Sequence, residues 1–177
     1  MAQLQGKKAP ADAFSFGKAK DTYKTVDKEV AKLVKNFELL SEDPTIRGTS
    51  GYDKAKKTRQ LVADSRQELG DLCKSLDSMW EKDPSQCVQD TMEGESLNAT
   101  PVLKPAYQKK VAEAVKKTAE LGGHCQQLGL NAKSIEESLD TQKKLKMWKL
   151  QHPVAFAALS TLIKAGTKGI IDVGDLV

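Results

Sequence analysis

The chain has 177 residues, room for one ordinary domain with its own core, and 39% of them are hydrophobic and 29% charged. That balance excludes both a fully disordered chain and a membrane-embedded one. Lys and Arg number 28 against 24 Asp and Glu, and a net charge of +4 falls short of a dedicated nucleic-acid binder. The charge is unevenly placed: residues 1–60 carry 13 basic and 8 acidic groups, residues 61–100 carry 3 and 9, and residues 101–177 carry 12 and 7. An acidic middle between basic flanks lets parts of one fold, or two copies of it, attract each other within a Debye length of about 8–10 Å.

Residues 1–17 hold Gly6, Pro10 and Gly17 without apolar periodicity and read as a mobile arm. A helical domain is expected over 18–168, followed by a tail at 169–177. Tyr23, Val26, Val30, Leu33, Phe37 and Leu40 step by 3 and 4 and predict the first helix, which ends at Asp43-Pro44 because proline disfavours the α conformation before it. Ser50 and Asp53 have capping-box spacing for a second helix, whose stripe reads Leu61, Ser65, Leu69, Leu72, Leu76 and Met79 up to Pro84. Residues 83–104, with Pro84, Gly94 and Pro101, read as a tether, a lid or a partner-facing binding loop in which Cys87, Val88 and Met92 allow one short helical turn.

Pro105 is suited to open a third helix, with Tyr107, Val111, Ala114, Thr118, Leu121, Cys125 and Leu128 on one stripe. Gly122-Gly123 is expected to kink it and "LGLN" to turn the chain. Ser134 and Glu137 then suggest the cap of a fourth helix over 134–149, running from acidic to basic as the helix dipole favours. Its apolar phase is poor, since Ile135 and Leu139 fall on a different face from Leu145 and Trp148. Pro153 begins a fifth helix to 168, amphipathic and too short before Lys164 to cross a bilayer. The expected fold is all-α: an antiparallel bundle of four to five helices, with Val30, Leu33, Leu72, Val111 and Leu121 in its core.

Cys73, Cys87 and Cys125 form no close pair, which fits neither a disulfide framework nor a zinc motif. With no apolar signal segment at the start, a cytoplasmic location is expected, or secretion by a leaderless route. No residue is assigned a catalytic or metal-binding role, and no cofactor or small-molecule substrate is implied. His124-Cys125 with Glu120 is the nearest approach to a cysteine enzyme or metal site, but adjacent helical residues diverge. The bases are 25 Lys and 3 Arg, a poor set for sequence-specific nucleic-acid recognition, where arginine is preferred.

Two surfaces remain. Lys20, Lys24, Lys28, Lys32 and Lys35 form a row on the first helix, a candidate interaction surface for an acidic partner. Lys143, Lys144, Lys146, Trp148 and Lys149, followed by Phe156, Leu159, Leu162 and Ile163, are candidates for an anionic membrane or a partner. The functional expectation is a non-enzymatic bundle acting through protein partners or self-association, with action at a membrane surface as the alternative and a cysteine-dependent enzyme or metal site as a distant third.

Overall fold

The computed structural model describes residues 15–82, 88–91 and 100–168, with side chains for 21, 23–82 and 104–167. Its elements are α1 (Ser15–Ser41), α2 (Pro44–Arg47), α3 (Tyr52–Lys82), β1 (Val88–Thr91), β2 (Thr100–Leu103), α4 (Pro105–Thr141), α5 (Leu145–Gln151) and α6 (Pro153–Lys168). Four long helices make a bundle, and two short ones sit at its corners. Cross-helix pairs fix the directions. Arg59 meets Glu38 and Arg66 meets Asp27, while Lys110 meets Ser75 and Lys117 meets Glu68, so α3 runs antiparallel to both α1 and α4.

The core follows the helical period. Val26, Val30, Leu33, Phe37 and Leu40 of α1 are buried, as their 3–4 spacing requires. The α1 helix begins at Ser15, so residues 15–17 belong to it rather than to an arm. Residues 1–14 and the tail 169–177 lie outside the described residues. On α3 the buried stripe is Ala55, Thr58, Val62, Ser65, Leu69, Cys73 and Leu76. The expected stripe shared Ser65, Leu69 and Leu76 but was out of phase at its edges: Leu61 is exposed, and Leu72 is half-buried rather than central. Val62 and Cys73 take the inward places, because cysteine packs as a small hydrophobe.

The helices expected at 105–128 and 134–149 are largely one. In the 37-residue α4, Ala132, Ile135 and Leu139 continue the rhythm of Leu121, Cys125 and Leu128 through the expected turn. Gly122-Gly123 does not break it, and Ser134 Oγ donates to Leu130 O at 3.3 Å inside the helix instead of capping a new one. Gly129 is buried where α4 crosses α6. A Cβ there would fall on the backbone of Gly166, and one on Gly166 would meet Gly129 C at 2.7 Å. This glycine pair lets two backbones touch, a role the turn reading of "LGLN" missed.

The α3 helix opens at Tyr52, past the position a Ser50 cap would require, and Gly51 lies where a Cβ would meet Ile135 Cγ1 at 3.1 Å. Gly51 thus lets this entry pack closely on α4. Residues 88–91 and 100–103 are not plain loop: β1 and β2 pair antiparallel, Val88 opposite Leu103 and Thr91 opposite Thr100, which places Val88 in a strand rather than a helical turn. Residues 83–87 and 92–99, including Cys87 and Met92, lie outside the described residues. Among the described residues no helix is long and apolar enough to cross a membrane.

Candidate functional site

The corner formed by α5, its flanking turns and the start of α6 collects most of the second sequence-predicted surface. It begins with the end of α4. Lys143 N donates to Asp140 O and Lys144 N to Leu139 O, each at 2.9 Å, the paired bonds of a Schellman ending. Lys143 sits in the left-handed region with φ 59°, a position usually taken by glycine. The turn resets the helical phase, which explains why Leu145 and Trp148 do not line up with Ile135 and Leu139.

Trp148 faces inward, 3% exposed, and its Nε1 donates to Asp43 Oδ2 at 2.8 Å. Asp43 Oδ1 accepts from Thr45 N at 2.9 Å as the N-cap of α2. His152 Nδ1 lies 3.5 Å from the same Oδ2, on the half-turn between α5 and α6. The Trp148 ring meets Phe156 edge-on at 6.3 Å, and Lys149 Nζ lies 4.8 Å above the centre of the Phe156 ring. One buried carboxylate therefore joins three segments: the α1–α2 turn, α5 and the entry to α6. Beside it lies a cavity of ≈ 390 Å³ lined by Leu39, Glu42, Asp43, Pro44, Gln151 and Val154, among others.

With Trp148 anchored, the rest of α5 is set. At about 100° per residue, Leu150 and Met147 point away from the bundle. They are 74% and 58% exposed, and Val154 at the start of α6 is 67% exposed. Lys143, Lys144, Lys146 and Lys149 of the same corner are exposed. The four lysines predicted for this surface share the corner, while the apolar residues predicted beside them turn inward. Trp148, Leu159 and Leu162 are buried, and Phe156 and Ile163 are half-buried against the core. Helical phase alone could not reveal Met147, Leu150 and Val154, because it was broken by a turn that no glycine announced.

The α1 lysine row is less coherent. Lys24, Lys28, Lys32 and Lys35 are exposed, but Lys32 is paired with Glu29 at 3.3 Å; the side chain of Lys20 lies outside the described residues. Between α1 and α3 lies a second cavity of ≈ 410 Å³ lined by Tyr23, Asp27, Arg59, Arg66 and Lys74 among others. Its arginines are committed to carboxylates: Arg66 forks onto Asp27 at 2.6 and 3.3 Å, and Arg59 meets Glu38 at 3.0 Å. Burial, aided by the Asp27 carboxylate, raises the Tyr23 hydroxyl pKa.

The Cys125 thiol is held protonated. Cys125 is buried on the α4 stripe, and burial pushes its pKa up to about 12, whereas a nucleophilic cysteine needs its thiolate favoured. Among the described residues no group of three or more His, Cys, Asp or Glu side chains is placed to hold a metal ion. No protein-family model, curated protein or solved structure matches the chain.

Proposed function

We propose that the chain is a non-enzymatic helical-bundle protein that acts by protein contact or assembly, with the α5–α6 corner as its contact face. The observation that carries this reading is the exposure of Met147, Leu150 and Val154 together on one corner. Apolar side chains scattered singly over a surface are ordinary, but Met147 and Leu150 share one face of α5 and Val154 lines the cavity that Gln151 also walls, the kind of patch that partners cover. The seven-residue α5 has Trp148 to hold it to the bundle, and Leu150 and Met147 face away. Among the described residues none covers Leu150 or Met147 in that outward placement. A contact with another molecule gains about 25 cal/mol for each Å² of apolar surface removed from water.

A photoreactive side chain at position 150 of the full chain, irradiated in the host cell, should give discrete protein adducts. The same group at exposed Lys109 should not. Equal, diffuse labelling at both positions would sink the reading. The four exposed lysines favour a second one, contact with an anionic membrane, which flotation with vesicles at low and high salt tests directly.

A further inference from the structure

We infer that the α5–α6 corner is the face on which two copies of this chain pair across a two-fold axis, an inference that rests on the contact role proposed for this face. The side chains of α5 are ordered around its axis. At about 100° per residue they run Lys149, Lys146, Leu150, Met147, Gln151. Gln151 is a wall of the ≈ 390 Å³ cavity, whose lining also includes Glu42 and Val154. The apolar ridge thus has a positive edge on one side and an acidic cavity on the other. Glu42 is exposed, and Lys146, Lys149 and Glu42 have no ion pair within the chain among the described residues.

A face with an apolar middle and opposite charges at its edges is complementary to itself. Rotation by 180° about an axis through the ridge lays the lysine edge of each copy over the Glu42 edge of the other, and the same contact forms twice. The ridges meet at the axis, with Leu150 of each copy beside the cavity walled by Leu39, Pro44, Val154 and Ala155 of the other. An anionic bilayer suits this face less well, because Glu42 would be pressed against phosphates. Only a few protruding side chains meet, so the pair belongs to the small-interface class below about 1,200 Å² and forms in a concentration-dependent way.

Sedimentation velocity of the full chain between roughly 10 and 500 µM should show monomer passing to dimer, as expected for a dissociation constant in the micromolar range. Leu150→Glu should weaken the dimer at least about tenfold, the effect of one unpaired charge in an apolar contact. Its thermal melt should be unchanged, because the residue is exposed. The K146E/K149E variant and the E42K variant should each be monomeric alone. Mixed in equal amounts they should pair, since every contact in the mixed dimer then joins opposite charges.

A chain that stays monomeric throughout, a dimer indifferent to Leu150→Glu, or a mixture no tighter than its components would overturn the inference. If the monomeric chain still crosslinks a different protein through position 150, only the two-fold pairing falls and the contact role stands. If it crosslinks none and floats with vesicles of equal parts phosphatidylcholine and phosphatidylserine, both fall.

Discussion

Trp148 Nε1 reaches across 105 residues of sequence to hand its hydrogen bond to Asp43 Oδ2, at 2.8 Å in a buried site. The same carboxylate caps α2 through Thr45 N. Its removal therefore strips a cap and orphans a buried indole donor at once. Asp43→Ala should cost about 2–4 kcal/mol in denaturant unfolding, combining the loss of a cap with that of a buried bond to a charged group. Trp148→Phe keeps the cap but removes the indole N–H and part of the ring, so a donor is lost and a small cavity opens. A loss below about 1 kcal/mol in Asp43→Ala would show that cap and buried bond together contribute little.

The glycines of α4 separate two meanings of one residue. Gly129 is pressed against Gly166, whereas a Cβ at Gly123 would meet nothing within 4 Å. Gly129→Ala should destabilise by about 3 kcal/mol or more, since two helix backbones must part to admit the methyl group. Gly123→Ala should stabilise by roughly 0.5–1 kcal/mol, the ordinary gain at an open helical site. Thermal melts of the two variants should move in opposite directions.

That contrast marks what could be read in advance. The stripes of α1 and of α4 as far as Leu128 were legible residue by residue, because burial imposes the 3–4 rhythm wherever a helix faces one core. Pro105 and Pro153 were legible as starts, since proline fits the first turn. Gly129 was not: in a linear sequence, a glycine that admits a neighbouring backbone looks the same as one that turns the chain. The true break at Lys143 was hidden for the converse reason, because a lysine occupies the conformation that glycine would have advertised. The outward orientation of Met147 and Leu150 depends on that break and on Asp43, far away in sequence, so it was not legible in the linear chain.

Lys143 itself gives a prediction. A residue with a Cβ at φ 59° carries a steric penalty that glycine lacks, and the two Schellman bonds at this turn are made by backbone alone. Lys143→Gly should raise stability by about 0.5–1 kcal/mol. A loss instead would show that the lysine side chain is required at this corner.

Alkaline pH should weaken the fold through Cys125. Its folded pKa, raised by burial from 9.0 to about 12, means that the native state holds the thiol proton more tightly than the unfolded chain does. The stability this contributes is fully present below pH 9 and is lost as pH rises toward the folded value of about 12. Over that window the linkage amounts to roughly 4 kcal/mol, at 1.36 kcal/mol per unit. Tyr23, also raised, adds to the loss above its ordinary value of 10.0. Denaturant midpoints should therefore fall above pH 9, and Cys125→Ala should flatten the part of the fall between pH 9 and 10. An unchanged slope in that variant would assign the effect elsewhere.

The apolar stretch that begins at Pro153 closes the bundle. Ala158, Leu159 and Leu162 of α6 are buried, and Gly166 seals the crossing with α4, so this helix is core along one side and surface at its start. Leu162→Ala should cost about 2–5 kcal/mol through the cavity it leaves. Val154→Ala, at a side chain 67% exposed, should change stability by less than about 0.5 kcal/mol. Truncation after Gln151 removes every α6 contact with α1 and α4, and should lower the melting temperature of the whole bundle, whereas truncation after Lys168 leaves the helix in place. A truncation after Gln151 that melted like the full chain would mean that α1, α3 and α4 hold together without α6. The burial of Leu159 and Leu162 would then contribute nothing to stability, against the roughly 1.5–3 kcal/mol expected for each buried leucine.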